Sequence, residues 1–132
     1  MIAADTSTWV AYLAGEEGED VKLLDQALAD RQLLMVPAVL TELLSDPELP
    51  LAVAASLSNV PPVDITADYW KRAGRLRAKV LAQRRKARLG DSLIAQTCID
   101  RGIALITRDR DFRAFAAAAK FDLVIRTRAD QP

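Results

Sequence analysis

The chain reads as an α/β domain, with a central, mainly parallel five-stranded sheet between two layers of helices. Two observations carry that reading. Short apolar runs alternate with helical patterns along the whole sequence, the order that builds parallel βαβ units. The runs also lack period-two alternation, as strands buried on both faces do. At 132 residues, about half of them hydrophobic, the chain suits one domain over 1–132 with a real core.

The first run, Ile2 to Ala4, ends at Asp5. Asp5-Thr6-Ser7 then supplies helix-start chemistry for a helix from Thr8 to Ala14, which Gly15 closes. A second helix is expected from Gly18 to Asp30, with Val21, Leu24 and Leu28 on one face. Leu33 to Val36 reads as a buried strand. Pro37 suits the first turn of a helix carrying Val39, Leu40, Leu43 and Leu44. Pro47 and Pro50 break it, and Leu51 to Leu57 forms another short helix.

Val60 to Ile65 is expected as an edge strand, because Pro61 and Pro62 cannot donate to a ladder. Thr66 is read as the cap of a long helix to Arg85, with Trp70, Ala73, Leu76, Val80 and Leu81 on one face. Gly90 ends that unit and Asp91 starts a helix to Arg101, with Gly102 as C-cap. Ile103 to Thr107 is a strand, Arg110 to Ala119 a helix, Leu123 to Ile125 a last strand, and 127–132 a polar tail.

Composition removes several function classes. There is no histidine, so proton transfer near neutral pH falls to carboxylates, lysine, cysteine or water held by a metal. The single cysteine, Cys98, permits no intrachain disulfide and fits a reducing compartment. No signal peptide or membrane span is legible, so a soluble cytoplasmic protein is expected. Net charge is zero but uneven. Residues 1–50 are strongly acidic, whereas Lys71 to Arg88 contains nine bases and no acid. That asymmetry suits a phosphate backbone beside an acidic centre; a solvated helix face is the alternative.

Asp5, Glu42, Asp91 and Asp109 are the candidate site residues. Each also has a plain structural reading, as a helix cap or as the wet side of an amphipathic helix. Strand ends of an open parallel sheet are where sites form. Two carboxylates 4 Å apart repel by about 4 kcal/mol at an effective dielectric of 20, and a hard divalent cation removes that penalty. Oxygen-only donors select Mg²⁺ or Mn²⁺ over zinc.

Four motifs resemble the PIN domain family, and within it the VapC-type toxins of toxin–antitoxin pairs. They are Asp5-Thr6-Ser7, the Pro37 helix carrying Glu42, Gly90-Asp91-Ser92-Leu93-Ile94-Ala95, and Thr107-Arg108-Asp109-Arg110-Asp111-Phe112. The resemblance implies a Mg²⁺-dependent endoribonuclease, with Mn²⁺ as a substitute, acting on RNA such as tRNA or rRNA. Asp5, Asp91 and Asp109 would hold the metal, Glu42 a water, and Thr6 and Thr107 would orient them. Asp111 competes with Asp109 for the fourth position and is assigned to the helix side. A small VapB-type antitoxin and a homodimer are implied as partners. An apolar contact patch is expected at Trp9, Tyr12 and the leucines after Pro47. Charge alone marks Arg84, Arg85, Lys86 and Arg88 as the RNA-facing residues.

Two rivals stay open: a PIN-like binding or scaffold domain without catalysis, and a haloacid-dehalogenase-like Mg²⁺ phosphatase. The second needs an aspartate where this chain has Ser7.

Overall fold

The computed structural model describes residues 1–119 and 121–125; the expected polar tail at 127–132 lies outside them. Four strands, β1 (Ile2–Ala4), β2 (Leu33–Leu34), β3 (Ala104–Thr107) and β4 (Leu123–Ile125), form one sheet in the order β2-β1-β3-β4. Every pairing is parallel, with Ala3 opposite both Leu34 and Leu105, and Ile106 opposite Val124. Among the described residues the sheet therefore has four strands, not the five expected. The fifth candidate, Val60 to Ile65, makes only an isolated parallel bridge between Met35 and Pro62. Met35 N donates to Pro61 O and Val63 N to Met35 O, and the two adjacent prolines contribute no donor of their own to a ladder.

Among the described residues seven helices flank the sheet: α1 (Thr6–Leu13), α2 (Glu19–Ala29), α3 (Pro37–Leu44), α4 (Leu51–Ser58), α5 (Tyr69–Ala82), α6 (Leu89–Arg101) and α7 (Phe112–Ala119). Pro37 stands in the first turn of α3, where its missing N–H removes no helical bond. Gly102 ends α6 at φ 61°, a left-handed cap that turns the chain directly into β3.

Three local expectations need correction. Thr66 does not cap α5; the preceding residue is Asp68 at φ 60°, and the Thr66 hydroxyl donates to Asp100 instead. Tyr69, not Trp70, takes the buried side of α5, because the Tyr69 hydroxyl reaches Leu93 O at 2.7 Å and Trp70 is left 65% exposed. Trp9 is buried in the core, so it cannot belong to a surface contact patch.

One hydrophobic cluster unites the layers. Ala3, Ala4, Leu105 and Ile106 of the sheet meet Val39 and Leu43 of α3, Val80 of α5, Ile94 and Cys98 of α6 and the rings of Phe112 and Phe115. The two phenylalanines are fully enclosed, and each such ring contributes about 2–3 kcal/mol by burial. That core holds the C-terminal ends of β1 and β3 side by side. The chain runs from β1 outward to β2, then returns to the other side of β1 with β3, so the strand order reverses between β1 and β3. Open parallel sheets bind ligands at that reversal.

Candidate active site

Asp5 leaves the end of β1 and Asp109 follows the end of β3, one on each side of the strand-order reversal. The Asp5 backbone N–H donates to Ile106 O at 3.0 Å, which locks the two strand ends together. Asp5 is 3% exposed and is also the N-cap of α1, accepting from Thr8 N at 3.1 Å. The cap reading and the site reading thus describe one side chain. The Ser7 hydroxyl lies 2.8 and 2.9 Å from the two Asp5 oxygens. Thr107, fully buried, sets its hydroxyl 3.5 Å from that of Ser7, which bonds Asp5, and accepts from Asp109 N at 2.9 Å, so it stands between the two acid-bearing segments.

Asp91 is not the first residue of its helix. Arg88 is the N-cap of α6 and Leu89 begins it, so Gly90 and Asp91 sit inside the first turn. A carboxylate there gains from the helix dipole. Because α6 turns straight into β3, it runs back along the sheet, and its N-terminus comes to the C-terminal strand ends. Glu42 arrives from α3. Its Oε1 accepts from the Thr6 hydroxyl at 2.8 Å, and its carboxylate lies 3.5 Å from where a Cβ on Gly90 would stand.

Asp91 lies within electrostatic reach of the other three acids. Burial pushes the Asp91 carboxyl up to about 6, and the charges of Asp109, Asp5 and Glu42 add to the rise while Arg88 opposes it. Burial likewise raises Asp5, against hydrogen bonds from Thr107, Thr8 and Ser7 and with a push from Asp109. Asp91 Oδ2 is buried with no hydrogen-bond partner. A buried carboxylate oxygen in that state is costly unless something else meets it. Among the described residues no three carboxylates already close as a ligand set on one point. An all-oxygen donor set with one unpartnered oxygen fits a hard divalent cation.

Asp111 points elsewhere. Its Oδ2 lies 3.3 Å from Lys86 Nζ, while its backbone N–H donates to Asp109 Oδ1 at 2.9 Å. The geometry thus separates the two acids, with Asp109 toward Asp91 and Asp5. Arg88 reaches within 3.9 Å of Asp109 Oδ2. The basic stretch read from the sequence divides in two. On α5, Arg72 pairs with Asp100, Arg77 Nε donates to Ala87 O and Lys79 Nζ to Ala118 O. From Arg84 to Arg88 the four bases are exposed; Lys86 meets Asp111, and Arg88 stands beside Asp109 of the acid cluster.

A sequence profile described as PIN domain matches residues 2–118. The chain belongs to the PIN domain family. It is 26% identical over 126 residues to ribonuclease VapC5 of Mycobacterium tuberculosis, a match covering 91% of each protein. Solved structures share the PIN fold at lower identity. FitAB bound to an IR36 DNA fragment superposes at TM-score 0.70 with 17% identity, covering 95% of this chain and 94% of that one. FitAcB from Neisseria gonorrhoeae gives 0.69 and 19%, over 94% and 96%. VapBC-5 of Mycobacterium tuberculosis, a toxin–antitoxin system, gives 0.67 and 21%, over 94% and 97%.

Sequence reasoning missed Ser7 as a partner of Asp5, reading it only as helix-start chemistry and as the residue that disfavours a phosphatase. It also missed Thr8, Asp20 and Arg108. Thr8 and Asp20 lie in helical stretches where a hydroxyl or acid signals nothing, and Arg108 looked like one loop charge among several. Only its place between Thr107 and Asp109 offered a hint.

Proposed function

We propose that this PIN domain is a Mg²⁺-dependent endoribonuclease and the toxin of a toxin–antitoxin pair, acting in the cytoplasm. The observation that carries the metal is the buried, unpartnered Asp91 Oδ2 among three other acids. The likeness to a protein named a ribonuclease supports RNA as the substrate. Asp5, Asp91 and Asp109 hold the ion, and Mn²⁺ can replace Mg²⁺. A bound divalent ion supplies Lewis acidity toward the phosphodiester. Ser7, Thr8 and Thr107 hold Asp5 in place, and Thr107 sets the turn bearing Asp109. Thr6 fixes Glu42 Oε1, leaving Oε2 to take the proton of the attacking water. Arg84, Arg85, Lys86 and Arg88 meet the RNA backbone.

A small antitoxin is the proposed protein partner, on the analogy of the VapBC-5 neighbour. A groove of about 370 Å³ opens beside Glu42, lined by Val10, Leu13, Leu43, Leu49 and Val53. It suits an apolar peptide segment that ends near the acids.

Incubating total RNA with wild type, Asp5→Ala and Asp91→Ala in Mg²⁺ tests the enzyme reading. Internal cleavage by wild type alone is expected, and identical RNA profiles for all three would reject it. Reversing Arg84, Arg85 and Lys86 to glutamate should weaken RNA binding and flatten its salt dependence; unchanged affinity would remove the basic rim from the account.

A further inference from the structure

Behind the acid cluster lies a second polar network that the reaction itself does not use. Asp20, in the first turn of α2, is completely buried. Its Oδ2 accepts from the Thr8 hydroxyl at 3.0 Å and from Arg108 Nε at 2.8 Å. Its Oδ1 accepts from Arg108 Nη2 at 3.1 Å, so the guanidinium grips the carboxylate with two nitrogens. Arg108 Nη1 reaches Glu16 Oε2 at 2.9 Å, and Nη2 also lies 3.4 Å from Glu17 O.

The two residues that meet on Asp20 each border the site. Thr8 donates its backbone N–H to Asp5 Oδ1. Arg108 stands between Thr107 and Asp109, whose backbone N–H donates to the Thr107 hydroxyl. One buried carboxylate thus binds the back of both acid-bearing segments, one from the start of α1 and one from the turn after β3. A purely stabilising ion pair needs no such placement.

Gly18 supplies independent support. A Cβ there would stand 2.6 Å from Asp20 Oδ1 and 3.1 Å from Arg108 Nη2, on backbone at φ 154°. Any side chain at position 18 would displace the carboxylate, and the chain has none.

We infer that Thr8, Asp20 and Arg108 form a positioning clamp that fixes Asp5 and Asp109 relative to each other for metal binding. This rests on the metal reading proposed above. Groups that orient metal ligands through hydrogen bonds typically change affinity by about 10–100-fold when removed. The clamp acts at one remove from the ligands, so the low end applies. Arg108 is turned inward by it and is unavailable to RNA, unlike Arg84 or Arg85.

Calorimetric titration of Mn²⁺ into the folded protein tests the clamp, alongside the melting temperature of each variant. Thr8→Val removes the hydroxyl at nearly constant volume, and Thr8→Ser retains it. Thr8→Val, Asp20→Asn and Gly18→Ala should each weaken Mn²⁺ binding about tenfold. Thr8→Ser should stay within about twofold of wild type, a rescue that general loss of stability does not produce. Lowered melting temperatures with Mn²⁺ affinity unchanged in Thr8→Val and Asp20→Asn would overturn the clamp while leaving the metal reading intact. Wild-type protein that binds no Mn²⁺ would overturn the metal reading, and the clamp with it.

Discussion

Asp20 and Asp91 are two aspartates in the first turns of helices, both drawn out of water, with opposite fates. Burial pushes Asp20 up, but hydrogen bonds from Arg108 and Thr8 and the guanidinium charge outweigh it and hold the carboxyl below its ordinary range. Asp91 meets burial and three more acids, and rises to about 6 with one oxygen unpartnered. A carboxylate surrounded by donors serves the fold. One surrounded by other carboxylates costs the fold stability and is ready for a cation.

The contrast is broken most severely at Glu42. Glu42→Gln keeps the Thr6 contact within reach but removes the proton acceptor, so RNA cleavage should fall about 1,000-fold. Mn²⁺ binding should persist, because Glu42 is not among the three ligands. Cleavage rates and metal titration on one preparation check both halves, and loss of both together would make Glu42 a ligand. On the clamp side, Asp20→Asn should lower folding stability by about 2 kcal/mol in urea denaturation. That is below the cost usual for a broken buried pair, since Arg108 keeps some solvent and Glu16 as partner.

The pH dependences should run in opposite directions. Asp20 has a lowered folded pKa, so its contribution is full above the unfolded value near 3.9 and is lost as pH falls through the folded value. Asp91 has a raised one. Its ionisation therefore opposes folding, increasingly from about pH 4 to 6 and fully above. With solvent screening, Asp91→Asn should stabilise the metal-free protein by about 1 kcal/mol at pH 7.5. The gain should vanish near pH 4, and a gain constant with pH would contradict the assignment.

The same division explains what the sequence disclosed. Interactions close in the chain were legible: Asp5 at a strand end, Pro37 in a first turn, Gly102 as a left-handed cap, and the run Leu123–Ile125 as a strand. The four acids could be singled out as candidates because each lies at a strand end or in a helix otherwise built for burial. The fifth strand was overcounted, since an apolar run with two prolines has the composition of a strand without its donors. Asp91 was set at the helix start because Gly90 looked like a terminator, whereas helical hydrogen bonding begins two residues earlier. The clamp was invisible. Asp20 and Arg108 are 88 positions apart, and no periodicity links a buried acid to a distant guanidinium.

Thermal melting of metal-free wild type and Asp91→Asn at pH 7.5, each with and without millimolar Mn²⁺, tests the central claim most directly. Mass action should raise the wild-type melting temperature on adding Mn²⁺ and leave Asp91→Asn nearly unmoved. Equal shifts in both proteins, or no shift in wild type, would contradict a cation site built on the unpartnered oxygen of Asp91.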